Sequence, residues 1–236
     1  MNLVTVCGIR GGVGASTIVA MLGDALHAQE QRILMVDLNA SDLLRLHFNV
    51  PYSDDHGWVS ALFPKGWRQQ AFRIAPGLCL APFGRRAIEK SGLSHLLRGE
   101  GFWLEALADL EPDFDWVLFD CPALPYRMAP ALRFRSTLDM LVAHPDVAAH
   151  VLLAQLGLGE SSHLLVNGLD PGKRLECDIV ADWHHRYGAR VLPFSVYQDE
   201  CFHEALACKT TPMRYQPDSV PSQTARSLAA WCLENR

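Results

Sequence analysis

The sequence predicts an α/β fold, a doubly wound and mainly parallel sheet flanked by helices, and two observations carry that prediction. Short, continuous apolar runs recur along the chain, as expected of parallel strands covered on both faces. Helical candidates fill most of the gaps between them, so strand and helix alternate. The size fits one such unit. With 236 residues, 49% hydrophobic and 20% charged, the chain can build a single large core, and one domain is expected over residues 1–236.

Leu3 to Cys7 is a short apolar strand, Gly8 to Gly14 a glycine cluster, and Ser16 to Ala28 a helix of small and aliphatic residues. Ile33 to Asp37 and Trp116 to Asp120 are buried strands of one design, each ending in a carboxylate. Further strands are predicted at Leu78 to Pro82, Asp139 to Ala143, Leu164 to Asn167 and Arg190 to Phe194. Helices are predicted at Leu93 to Leu110, Asp146 to Leu156, Leu175 to Tyr187, Asp199 to Cys208 and Ser222 to Leu233. Asn49 to Phe72, rich in Pro, Gly and Trp, reads as an irregular excursion. Ligands of such sheets bind beyond the carboxyl ends of the strands, where Gly8 to Thr17, Asp37 and Asp120 converge.

Composition narrows the function. A formal charge of -5 leaves no global basic field for nucleic acid or an anionic bilayer. Seven cysteines without a C-x-x-C pair fit a reducing cytoplasm of free thiols rather than a disulfide framework or a zinc ribbon. The first eight residues carry no basic region of a signal peptide, and no uncharged stretch exceeds the 13 residues from Val147 to Gly159, so any membrane role is expected to be indirect. His184 and His185 are adjacent on a helix and point apart, which argues against a metal pair. Arg85-Arg86, and Arg133 with Arg135, read as solvated charges, and the terminal helix, with Leu228, Trp231 and Cys232 on one side, as core packing.

Gly11-Gly12-Val13-Gly14-Ala15-Ser16-Thr17 lies between an apolar strand and a helix, where backbone N–H groups and a helix N-terminus can wrap a phosphate chain. A side chain at Gly14 is expected to occupy the phosphate space. The pattern G-x-x-x-x-G-K-[ST] fails twice, with Ile9 at its first glycine and Ala15 at its lysine. The variant K-G-G-x-G-K-[ST]-[ST] fits better: Arg10 takes the early lysine, and only Ala15 lacks charge.

At these residues the chain resembles the MinD/ParA group of deviant Walker A ATPases, a branch of the P-loop NTPases. Asp37 matches the carboxylate ending that group's second strand, Asp120-Cys121-Pro122 its Walker B segment, Val166-Asn167 its V-N motif and Leu192-Pro193 its late I-P segment. Within the group, Asp42 to Val50, Leu80 to Gly84 and Trp231 to Leu233 are similar to the BcsQ branch of cellulose biosynthesis, which also tends to lose the Walker lysine. The resemblance implies an ATP- and Mg²⁺-binding sandwich homodimer that supports cellulose synthase subunits at the inner membrane, with no nucleic-acid role. It implies phosphate contacts from Arg10 to Thr17, with Arg10 crossing to the partner, and adenine-side contacts from Asn167 and Pro193. It also implies that Ser16, Asp37 and Asp120 serve the metal, with Asp37 and Arg10 serving catalysis. Its switch carboxylate, two residues after Asp37, is Asn39 here.

Magnitudes separate binding from turnover. With alanine at position 15, the missing charge-assisted hydrogen bond to phosphate costs about 1.5 to 3 kcal/mol, roughly 10- to 150-fold in affinity. Catalytic cations on a transferring phosphoryl group contribute about 10³ to 10⁵ in rate. The expectation is an ATP-binding switch with slow or absent hydrolysis. The alternative is an active positioning ATPase for division, partition or flagellar placement, and Ala15 and Asn39 count against it.

Overall fold

The computed structural model describes residues 1–60, 64–84, 93–123 and 130–236. Eight strands form one sheet: β1 (Asn2–Gly8), β2 (Ile33–Asp37), β3 (Phe72–Ala75), β4 (Leu78–Ala81), β5 (Trp116–Cys121), β6 (Leu138–Ala143), β7 (Ser162–Leu169) and β8 (Val196–Tyr197). Their order is β3-β4-β2-β5-β1-β6-β7-β8. Every pairing is parallel except that of β3 with β4. The α-helices among the described residues are α1 (Ala15–His27), α2 (Leu93–Leu110), α3 (Pro130–Arg135), α4 (Val147–Leu156), α5 (Arg174–Tyr187), α6 (Cys201–Ala207), α7 (Pro212–Tyr215) and α8 (Val220–Glu234). None of the described helices is long and apolar enough to cross a membrane.

Alternation along the central strands divides the core in two. Val4, Val6, Ile33, Met35, Trp116 and Leu118 face one side, where Ile18, Leu22 and Leu26 of α1 and Leu228 and Cys232 of α8 cover them. Leu3, Cys7, Leu34, Val36, Val117 and Phe119 face the other, under Trp58, Trp67, Trp103 and Leu110. The terminal helix is therefore a core element, and its Trp231 meets His163 edge-on with ring centres 5.0 Å apart.

The Arg190 to Phe194 strand is corrected. Gly188–Arg190 is a 3₁₀ turn, Val191 makes one bridge to Leu164, and the edge strand is displaced to Val196–Tyr197. Pro193 cannot donate to a ladder, which ends the pairing before it is established. The excursion from Asn49 is also more ordered than its composition suggests, with 3₁₀ turns at Trp58–Ser60 and Pro64–Gln69 and a strand beginning at Phe72. Trp58 and Trp67 pack against Trp103 at 5.9 and 5.7 Å between ring centres.

Arg133, expected in solvent, instead forms a two-pronged pair with Asp139 at 2.7 and 2.9 Å, the aspartate being 4% exposed. Arg85-Arg86 lie outside the described residues.

Candidate functional site

β1 delivers the chain at Gly8 to a loop that ends where α1 begins at Ala15, and the loop's glycines divide the work. Gly12 and Gly14 have φ of +78° and +84°, left-handed values that favour glycine. A Cβ on Gly11 or Gly12 would meet nothing within 4 Å, so these two exposed glycines border open space. At Gly14 it would come 2.5 Å from Asn167 Nδ2, so the space there belongs to Asn167 and not to phosphate, a correction to the sequence reading. Asn167, on β7, donates from Nδ2 to the Val13 carbonyl at 2.8 Å. Val13 itself is buried, so the loop is fixed from within and from the sheet.

Two cavities flank this loop and share Gly12, Gly14, Thr17 and Leu206. One, of about 600 Å³, is lined by Arg10 to Thr17 and also by Asn39, His47 and Asp120. The other, of about 410 Å³, is lined by Asn167 with His144, Asp146, Lys173, Asp199 and Phe202. Their sizes lie in the range of small-ligand sites. Pro193 is exposed and lines neither cavity.

The two strand-ending carboxylates are register neighbours, Asp37 on β2 beside Asp120 on β5, and their surroundings differ. Asp37 is fully buried and accepts from the N–H groups of Asn39 at 2.8 Å and Leu44 at 3.2 Å, so it shapes the loop that follows β2. Burial first, then the nearby Asp120 and Asp42, raise its pKa well above the usual carboxylate range. Asp120 is 1% exposed, and neither of its oxygens has a hydrogen-bond partner. Burial pushes its pKa up to about 7, with the Ser16 side chain acting in the opposite direction. A buried acid with two orphan oxygens beside a hydroxyl is a donor set suited to a hard divalent cation. Ser16 and Asp120 line the same cavity; Asp37 does not line it, its carboxylate oxygens instead accepting from the loop that follows β2.

Arg10 is held within its own chain by an ion pair with Asp146. Asp146 in turn caps α4, its Oδ1 accepting from the Ala149 N–H at 2.8 Å. Burial pushes the Asp146 carboxyl up, but the Ala149 N–H and the Arg10 guanidinium together hold it below its ordinary value. Ala15 and Asn39 line the phosphate-side cavity as two uncharged positions.

Sequence reasoning missed His47. It is 4% exposed on the 3₁₀ turn Leu44–Phe48, its Nδ1 has no partner, and burial lowers its pKa to about 4, so the ring is neutral near pH 7. Leaving such a nitrogen unsatisfied costs about 1 to 3 kcal/mol. Nothing in the local sequence marks it, because a histidine among leucines reads as core until the facing wall is known. Asp146 did carry a signal, an acid at the start of a predicted helix, which is a cap pattern.

Residues 1–233 match the family model described as cellulose biosynthesis protein BcsQ. The chain is 30% identical over 238 residues to the cellulose biosynthesis protein BcsQ of Escherichia coli (strain K12), covering 97% of this chain and 92% of that protein. Among solved structures, a ParA family ATPase from Chlorobium tepidum superposes with a TM-score of 0.75 at 17% identity, over 97% of this chain and 98% of the other. The septum site-determining protein MinD from Pyrococcus horikoshii, solved with Mg-ADP, gives 0.70 at 17% identity over 98% and 95%. At such identities the structural likeness establishes the fold, a MinD/ParA-type P-loop NTPase.

Proposed function

The chain belongs to the family of the cellulose biosynthesis protein BcsQ, and from that premise we propose that it is a MinD-like ATP-binding protein supporting cellulose synthesis and secretion at the inner membrane. It acts as a nucleotide-sandwich homodimer with slow or absent hydrolysis, and its partners are cytoplasmic subunits of the synthase. The observation that carries the nucleotide reading is the cavity that Gly11 to Thr17 share with the buried, unpartnered carboxylate of Asp120. Loop N–H groups and the start of α1 hold the phosphates. Ser16 and Asp120 hold Mg²⁺, which neutralises phosphate charge when bound. The Mg-ADP present in the solved Pyrococcus horikoshii relative supports this choice of ligand.

Catalysis is curtailed for a physical reason. Ala15 brings no cation to the outer phosphates, and Asn39 brings no carboxylate to polarise a water. What remains is binding, orientation and a conformation that a partner can read.

Deletion of the gene in its native host tests the process. Cellulase-sensitive matrix should fall while division and plasmid retention stay normal; unchanged cellulose together with minicells would move the chain to the positioning ATPases.

A further inference from the structure

The phosphate-side cavity contains a buried polar group that neither the loop nor the metal donors use. His47 lines it, 4% exposed, with Nδ1 unpartnered. The ring is not a loosely placed side chain, because its turn is fixed on both sides. Arg45, wholly buried, pairs with Asp42 at 2.8 Å and donates to the carbonyls of Pro51 at 3.1 Å, His56 at 2.7 Å and Asp54. Leu44 donates to Asp37, and the Arg214 guanidinium lies 5.8 Å from the Phe48 ring centre. The turn therefore holds the ring in place at the cavity wall.

The two cavities give the ligand a direction. Thr17, Gly12 and Gly14 border both, while Ser16, Asp120 and His47 border only the one away from Asn167. A divalent cation held by Ser16 and Asp120 would neutralise charge on the outer phosphates of a nucleoside triphosphate, so the Ser16–Asp120 end would take the terminal phosphate, and His47 lines the cavity at that end. We propose that His47 donates a hydrogen bond to the terminal phosphate of the bound nucleotide and so sets a preference for triphosphate over diphosphate. This rests on the nucleotide-binding reading above. The role is a neutral donor's, distinct from the charge that a lysine would bring to position 15, and it provides one recognition element for a triphosphate in a loop without that lysine.

Isothermal titration of the full-length protein with Mg-ATP and with Mg-ADP tests it, on the wild type, His47→Ala and His47→Gln. His47→Ala should weaken ATP about threefold to tenfold and leave ADP within about twofold, with His47→Gln recovering part of the loss through its amide N–H. In the unmutated protein the His47 ring ¹⁵N resonances should move with ATP and not with ADP, a readout independent of whether either variant folds. Equal weakening of both nucleotides would assign His47 to packing alone, and an unchanged ATP affinity, or ring resonances indifferent to ATP, would also overturn the inference. A wild type that binds neither nucleotide would overturn the binding reading itself, a separate outcome.

Discussion

Asn167 donates its side-chain amide to the Val13 carbonyl at 2.8 Å and occupies the place that a Cβ on Gly14 would need, 2.5 Å from its nitrogen. The loop is thus shaped by β7 as well as by its own glycines. Gly14→Ala should lower ATP affinity at least tenfold, because the residue must hold φ near +84° while displacing Asn167. Asn167→Ala should cost about 1 kcal/mol of stability. If the clash with Asn167 is responsible, the double variant recovers part of the affinity in titration calorimetry; strict additivity would leave backbone strain as the sole cause.

Arg10 offers a second test. Its pair with Asp146 leaves both side chains more than a third exposed, so it is a weak latch, about 0 to 1 kcal/mol. A dimer partner's phosphates can compete for the guanidinium at that cost. Arg10→Ala should therefore reduce ATP-dependent dimerisation more than nucleotide binding by the monomer. Asp146→Asn keeps a cap oxygen for Ala149 and frees Arg10, and should raise the dimer fraction. Sedimentation velocity at matched ATP saturation reads both; an Arg10→Ala dimer fraction equal to wild type would confine Arg10 to its own subunit.

The central strands were legible because both faces are covered, so each reads as an unbroken apolar run: Ile33 to Asp37 appears with the same bounds in sequence and structure. The edges were not. The register of β8 is set by Pro193 and the turn at Gly188, and β3 by its antiparallel pairing with β4, which are tertiary facts without an apolar run of their own. The glycine loop could be placed from its flanking strand and helix. Its pairing with Asn167, 154 positions away, could not, nor could the burial of Arg45, since charge usually signals solvent.

The carboxylates predict a pH dependence. Asp37 and Asp120 both have folded pKa values above those of the unfolded chain, Asp120 at about 7. The folded protein then keeps protons that the unfolded chain has released, so the carboxylates' contribution to stability is fully present below about pH 4 and is lost as pH rises through 7. In nucleotide-free protein, the melting temperature of the wild type relative to that of Asp120→Asn should fall from pH 5 to pH 7, on the order of 2 to 4 °C per pH unit; the difference cancels the opposite slope of His47, which stays neutral in the fold while its unfolded counterpart loses a proton. Asp120→Asn should also abolish the Mg²⁺ dependence of nucleotide binding. A difference that rises over this interval would show that Asp120 is ionised in the folded state.

The two uncharged positions can be tested together. Ala15→Lys places a cation beside ground-state phosphate oxygens and should tighten ATP binding about 10- to 150-fold, with little gain in turnover, since the water still lacks a carboxylate. Asn39 donates its N–H to Asp37 at 2.8 Å and accepts from the Ser41 N–H at 3.2 Å. Asn39→Asp keeps that local geometry but adds a third acid near Asp37 and Asp120, which already resist ionisation, so alone it should weaken ATP binding. In the double variant the lysine offsets this repulsion and the carboxylate meets a fully held phosphate. Turnover should then exceed the product of the single effects, as for groups that act on one transition state. Steady-state phosphate release from the wild type, both singles and the double decides it. A wild type already as fast as the double variant would refute curtailed catalysis and leave Arg10 as the source of the missing charge.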